Sequence, residues 1–81
     1  PMLSIKVLGG GCKNCHALEE RAKEAIEELK LDGNVSLVTD KDKIVSYGVA
    51  MTPALVINEE VVSAGKVLSK DKIMDLIKKR G

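Results

Sequence analysis

Alternating apolar and polar positions predict a β-strand at the start of the chain. Leu3, Ile5 and Val7 alternate with polar residues, and three consecutive glycines, residues 9–11, end the alternation. Apolar residues then recur every three or four positions over about residues 12–30, which predicts an amphipathic helix. The apolar face of this helix comprises Cys15, Leu18, Ala22, Ala25, Ile26 and Leu29. The opposite face is rich in glutamate and is interpreted as a solvated surface.

After this helix, turn residues separate a second strand from a short second helix. The sequence Asp32-Gly33-Asn34 is typical of a turn, and residues 35–38 form the predicted second strand. Asp40 is a candidate N-cap because its side chain can accept a hydrogen bond from a free N–H of the first helical turn. The short helix is predicted to end at Gly48, since glycine readily closes a helix.

The last third of the chain predicts a hairpin followed by a terminal helix. Pro53 opens a strand that continues through residues 54–57, because proline lacks the N–H that a strand interior needs. Residues 58–60 turn the chain, and Val61-Val62 return as the partner strand. Ser69 is a candidate N-cap for the final helix.

The order β-α-β-α-β-β-α predicts an α/β fold with a four-stranded mixed sheet flanked by helices. The first strand–helix–strand unit is expected to place two parallel strands side by side, with a right-handed connection, and the closing hairpin adds antiparallel strands. The 81 residues are predicted to form one domain, residues 1–81, in which Pro1 is interpreted as a cloning remnant. No apolar run approaches the roughly 20 residues of a membrane span.

Composition excludes several classes of function. The net charge of +1 provides no field that would attract nucleic acid or a membrane surface. Tyr47 is the single aromatic residue, so there is no platform on which bases could stack. Without a recognisable signal peptide the protein is expected in the cytoplasm, where thiols are kept reduced, and a monomer is expected. The two cysteines therefore indicate redox or metal chemistry rather than a structural disulfide.

The cysteines lie at C-x-x-C spacing in Cys12-Lys13-Asn14-Cys15, where the glycine run meets the first helix. Free N–H groups and the positive end of the helix dipole favour a thiolate at Cys12, so the pKa of that thiol is expected to be lowered. Lys13 adds a positive charge nearby. Cys15 lies one turn later on the apolar face and is expected to be less exposed. Cys12 is therefore predicted to attack a disulfide, and Cys15 to resolve the mixed disulfide.

These features resemble the thioredoxin/glutaredoxin superfamily over nearly the whole chain. The segments that carry the resemblance are Gly9-Gly10-Gly11-Cys12-Lys13-Asn14-Cys15 and Met51-Thr52-Pro53-Ala54-Leu55-Val56-Ile57. Within that superfamily they are most similar to the small redox-active disulfide proteins of archaea and bacteria. The resemblance implies a thioredoxin-like fold, electron transport through a reversible Cys12–Cys15 disulfide bond, and thiol–disulfide oxidoreductase activity without a cofactor or metal.

The resemblance also implies a set of substrate-binding residues. A cis Thr52–Pro53 bond facing the cysteines is expected, which would turn the backbone of Thr52 towards an extended client strand. Gly65 resembles a glycine that follows the last strand in glutaredoxins. Met51 and Lys13 flank the site in the sequence and are therefore further candidate substrate-binding residues. The implied partners are client protein disulfides and a reductase.

Two other uses of the cysteines compete with the redox interpretation. Soft-metal chaperones for Cu(I) or Zn(II) also place C-x-x-C between a first strand and a first helix. Their order, strand–helix–strand–strand–helix–strand, lacks the polar helical segment predicted here over residues 40–48. His16 completes the haem-attachment pattern C-x-x-C-H, but covalent haem requires export, and the predicted strands fit a haem pocket poorly.

Overall fold

A computed structural model describes residues 3–11 and 13–80 of the chain. Its elements follow the predicted order: β1 (Leu3–Leu8), α1 (Lys13–Leu29), β2 (Gly33–Val38), α2 (Lys41–Ser46), β3 (Ala54–Ile57), β4 (Glu60–Ala64) and α3 (Lys70–Arg80). None of the helices within these residues has the length and apolar character that a membrane crossing requires.

The four strands form one mixed sheet in the order β2-β1-β3-β4. β1 pairs in parallel with β2 and antiparallel with β3, so β1 is a central strand. β3 and β4 form the antiparallel hairpin, with a register irregularity at Leu55/Val56. This topology confirms the predicted parallel first unit and antiparallel closing hairpin, and it brings the start of β3 next to the end of β1.

Strand alternation divides the core between the two faces of the sheet. Ile5 and Val7 of β1, with Leu55 and Ile57 of β3, pack in one cluster with buried residues of α1 and α3. On the other face, Leu8, Ala54 and Val56 pack in a smaller cluster with Ile44 of α2. Because α2 comes between β2 and β3 along the chain, the element order differs from that of the soft-metal chaperones.

Local capping signals position both predicted helix starts. The Asp42 N–H donates to the Asp40 carboxylate (2.9 Å), and the Lys72 N–H donates to the Ser69 hydroxyl (3.2 Å). These bonds satisfy N–H groups that would otherwise lack an acceptor in the first turn. Both predicted N-caps are therefore confirmed.

The second strand begins earlier than predicted, at Gly33. The sequence Asp32-Gly33-Asn34 predicts a turn, whereas β2 begins at Gly33, which pairs directly with Leu3. A Cβ atom on Gly33 would lie 2.7 Å from the Leu3 carbonyl oxygen and 3.0 Å from the Leu3 Cβ. Glycine is therefore present here because two strands approach closely rather than because the chain turns.

A polar cluster joins the middle of β1 to the β3–β4 turn. The Lys6 ammonium donates to the Glu59 carboxylate (2.6 Å) and to the Tyr47 hydroxyl (3.1 Å), and the Tyr47 hydroxyl also lies 3.2 Å from Glu59 Oε2. The hydrogen bond from Lys6 lowers the pKa of Glu59, and the same bond raises the pKa of Lys6. Asn58 fixes the turn to β1 through both its N–H and its side chain, which bond Ser4.

A Glu59→Gln variant is expected to melt at a lower temperature than the wild type at neutral pH and low salt. Because the folded pKa of Glu59 is lowered, its ion pair stabilises the fold at neutral pH, and this contribution is lost as pH falls through the lowered pKa. The melting-temperature difference should therefore shrink in acid. Glu20→Gln, on the exposed face of α1, is the control. A difference that does not change with pH contradicts this interpretation.

Candidate active site

Cys15 lies in the first turn of α1 with no solvent exposure. Helical spacing places it on the same face as Leu18 and Ala22, which are also fully buried against the sheet. The prediction that Cys15 is poorly exposed is confirmed. Cys12 lies outside the described residues, so its exposure, its reactivity and its distance from Cys15 remain predictions.

Gly9 follows the last residue of β1 and lies between Cys15 and Thr52. The Gly9 N–H donates to the Val38 carbonyl oxygen (2.9 Å), which holds this backbone against the end of β2. A Cβ atom on Gly9 would overlap the Cys15 Sγ, and it would lie 3.3 Å from the Cys15 Cβ and 3.8 Å from the Thr52 Cβ. The structure therefore brings together a cysteine of the motif and the residue that precedes Pro53.

The bond between Thr52 and Pro53 is cis, which confirms the expectation drawn from the sequence. Pro53 is buried just before β3 begins, whereas Thr52 is exposed. The Gly65 N–H donates to the Pro53 carbonyl oxygen (2.9 Å), so the end of β4 is attached directly to this segment. The exposed residue Thr52 therefore precedes a buried proline that is held by the end of β4.

Met51 and Gly65 form a contact at the same edge. The Met51 side chain is largely exposed, with 63% of its surface accessible. A Cβ atom on Gly65 would lie 3.0 Å from the Met51 Cε and 3.2 Å from its Cβ, so Met51 covers Gly65 closely. Gly65 also has a left-handed backbone, with φ of 76°, which favours glycine. An apolar side chain is therefore displayed next to Thr52.

Two basic residues, Lys13 and His16, lie on the outside of the helix start. Lys13 is the first residue of α1 and is exposed. The His16 Nδ1 lies 3.6 Å from a Glu19 carboxylate oxygen one turn along, so its ring pairs along the helix surface. The structure thus brings Cys15, Thr52, Pro53, Met51 and Gly65 to one end of the sheet. The sequence shows Gly9 only as part of the glycine run, and its close approach to Cys15 is not predicted there, although its place between a buried strand and the motif is a usable signal.

The sheet order, the buried Cys15 at the start of a helix and the cis bond beside it define a protein of the thioredoxin-like class. The fold is also similar to that of a solved structure of thioredoxin-2, described as a component of malaria parasite protein secretion machinery. That match has a TM-score of 0.69 at 14% identity and covers 96% of this chain and 82% of the other.

Sequence comparisons give the family. Residues 3–78 match the family described as Thioredoxin domain. The chain is 34% identical to a thioredoxin of Methanothermobacter thermautotrophicus, covering 94% of this chain and 99% of that protein. It is also 34% identical to a thioredoxin of Methanocaldococcus jannaschii, covering 95% and 88% respectively. The chain therefore belongs to the thioredoxin domain family and is a thiol–disulfide oxidoreductase.

Proposed function

We propose that this protein reduces exposed disulfides of client proteins by a two-step exchange. The Cys12 thiolate attacks a client sulfur, forms a mixed disulfide and releases one client thiolate. The Cys15 thiolate then attacks the Cys12 sulfur, forms the Cys12–Cys15 bond and releases the second client thiolate. Two electrons pass to the client, and a dithiol reductase returns the pair to its reduced state.

The observation that best supports this proposal is the position of Cys15 beside Thr52. Both side chains approach the same point above Gly9, where the end of β1 meets the segment before β3. A client bound along the Thr52 backbone would therefore have its disulfide close to the motif. The burial of Cys15 suits the resolving step, because a protected thiol reacts with its neighbour in preference to solvent reagents.

The role of Cys12 as the attacking thiol follows from its place immediately before α1. The helix begins at Lys13, and its first turn contains no acidic residue that would oppose a thiolate. The positive end of the helix dipole and the Lys13 ammonium both favour the charged sulfur. Attack is therefore assigned to Cys12 and resolution to Cys15.

The client-binding surface is proposed to consist of Thr52, Pro53 and Met51, supported by Gly65. Thr52 is exposed, and its backbone is proposed to pair with an extended client segment, as strands added to a sheet do. The exposed Met51 side chain offers an adaptable apolar contact beside that backbone. We place the protein in the cytoplasm as a monomer that acts on client protein disulfides.

Reduction of insulin tests this function directly. Purified protein with dithiothreitol as the electron source is expected to accelerate insulin reduction well above the rate with dithiothreitol alone. The acceleration should be proportional to protein concentration and should disappear after the thiols have been alkylated. A rate equal to that of dithiothreitol alone at every protein concentration contradicts the proposal.

A Gly65→Ala variant is expected to weaken client handling, and Gly48→Ala provides a matched control. Both glycines have left-handed backbones, with φ of 76° and 78°, so alanine should cost each roughly 1–2 kcal/mol of stability. A Cβ atom meets Met51 at position 65 but nothing within 4 Å at position 48.

The client KM should rise about three- to tenfold in Gly65→Ala, as expected for a contact worth about 1 kcal/mol, and stay unchanged in Gly48→Ala. Steady-state insulin reduction and thermal melts of both variants provide the comparison. Equal KM values in the two variants contradict a role for the Met51–Gly65 contact in client binding.

A further inference from the structure

We infer that Gly9 is a positioning residue for the Cys15 thiol, because its missing side chain leaves the space in which the Cys15 sulfur lies. The inference rests on the proposed function, since it concerns the step in which Cys15 resolves the mixed disulfide. It assigns a role to a residue outside the C-x-x-C motif and outside the client-binding surface.

The reason for glycine at position 9 is space rather than backbone conformation. Among the described glycines, a left-handed φ occurs at Gly11, Gly48 and Gly65, but not at Gly9. The Gly9 backbone is therefore one that any residue can adopt. A Cβ atom there would nevertheless overlap the Cys15 Sγ and come within 3.3 Å of the Cys15 Cβ. The Cys15 sulfur is therefore the main obstacle to a side chain at position 9.

The strand side of the contact between Gly9 and Cys15 is held by rigid structure. Gly9 follows Leu8, which is fully buried and pairs with Val38 of β2 on one side and Ala54 of β3 on the other. The Gly9 N–H bonds the Val38 carbonyl oxygen at 2.9 Å. The strand end therefore cannot move aside without breaking pairing in the centre of the sheet.

Helix α1, on the other side of the contact, has equally little freedom to move away from Gly9. Leu18 and Ala22 follow Cys15 on the buried face of α1 and have no solvent exposure. A cysteine side chain also has a single torsion with which to move its sulfur. A side chain at position 9 would therefore displace the Cys15 Sγ itself, and a displacement of about 1 Å can slow a reaction about 100-fold.

Displacement of the Cys15 sulfur should slow the step in which Cys15 resolves the mixed disulfide. It should leave the rate of attack by Cys12 on the client unchanged. Resolution forms the Cys15–Cys12 bond, breaks the Cys12–client bond and releases the client thiolate. Attack by Cys12 precedes this step and does not involve the Cys15 sulfur. A Gly9→Ala variant should therefore accumulate the mixed disulfide, whereas a general loss of structure would slow both steps.

The test is quenched-flow mixing of reduced protein with a disulfide peptide, with the mixed disulfide quantified by mass spectrometry after acid quenching. Resolution is expected to slow by about 10- to 100-fold in Gly9→Ala. Attack should stay within about twofold, and it is measured separately in the Cys15→Ser background. Gly10→Ala is the matched control, because a Cβ atom there meets nothing within 4 Å and Gly10 has no left-handed φ. It should behave as the wild type in both steps.

A thermal-unfolding cycle keeps the inference testable if Gly9→Ala folds poorly. The melting temperature lost in Gly9→Ala should be at least half recovered when the same change is made in a Cys15→Ala background, where the overlapping sulfur is absent. An equal loss in both backgrounds overturns the inference. Equal resolution rates in Gly9→Ala and wild type overturn it as well. A Cys15→Ser protein that forms no mixed disulfide with the peptide overturns the proposed function, and this inference with it.

Discussion

A Cys12→Ser variant is expected to lose disulfide reduction by a factor on the order of 10³ or more, as removal of a nucleophile does in other enzymes. The chain contains two cysteines, so no third thiol can take over the attack. A Cys15→Ser variant should also fail to turn over, but for a different reason. It should attack once and remain joined to its client, because the buried thiol that releases the client is missing.

These two variants are controls for each other. Each replaces one sulfur with oxygen, so their folding can be compared by circular dichroism and thermal melts. Their products separate on a non-reducing gel, where only Cys15→Ser should carry a client that dithiothreitol releases. Trapping by Cys12→Ser instead would reverse the assignment of the two roles. Trapping to the same extent by both would contradict any asymmetry between the thiols.

A Leu55→Ala variant is expected to lose about 2–5 kcal/mol of stability, as large-to-small changes in well-packed cores do. Leu55 has no solvent exposure and lies in β3, paired with Val7 of β1 and Ser63 of β4. A domain is stabilised by only roughly 0.05–0.15 kcal/mol per residue, so this loss is a large share of the total. It should also loosen the site, because β3 positions Pro53 at its start.

Urea unfolding monitored by circular dichroism measures this loss. Leu31→Ala is the control, because Leu31 is 44% exposed and leaves little buried volume empty when shortened. The free energy of unfolding of Leu31→Ala is expected to differ from that of the wild type by no more than about 0.5–1 kcal/mol. A loss in Leu55→Ala no larger than that in Leu31→Ala contradicts the placement of β3 in the centre of the core.

Sequence patterns predict the parts of this fold that depend on neighbouring residues. Asp40 and Ser69 each bond an N–H within three residues, so their capping role is visible in the local sequence. Alternation in β1 and helical spacing in α1 likewise predict the buried face of each element. The element order then follows, and with it the α/β fold class.

Two glycines show what local patterns do not predict. Gly33 is interpreted as a turn residue from its neighbours, yet its role depends on Leu3, on a different strand. Gly9 lies beside Cys15 and near Thr52, and its closeness to Thr52 requires the pairing of β3 with β1. Both glycines are needed for close approach between distant segments, a requirement that no local propensity encodes.

Local sequence patterns also do not predict which residues of the site are exposed. Met51 is a large apolar residue, for which burial is the usual expectation, but it is 63% exposed, and its side chain lies over Gly65 at the end of the sheet. The pairing of β3 with β4 and the hydrogen bond from Gly65 to Pro53 bring Gly65 to this segment from a distant part of the chain. The sequence resemblance indicates the position of Met51 near the site, whereas its display to solvent is a tertiary effect.

A redox titration of the purified protein tests the central claim most directly. The protein is equilibrated in dithiothreitol buffers of graded potential, its thiols are alkylated, and its mass is measured along with its metal content. The account predicts a single transition from protein with two alkylatable thiols to protein with none, in which each protein loses two electrons. The ratio of reduced to oxidised protein should change tenfold for each ~29.6 mV of buffer potential. Thiols that stay reduced across the whole range, with one Cu(I) or Zn(II) bound per chain, would contradict it.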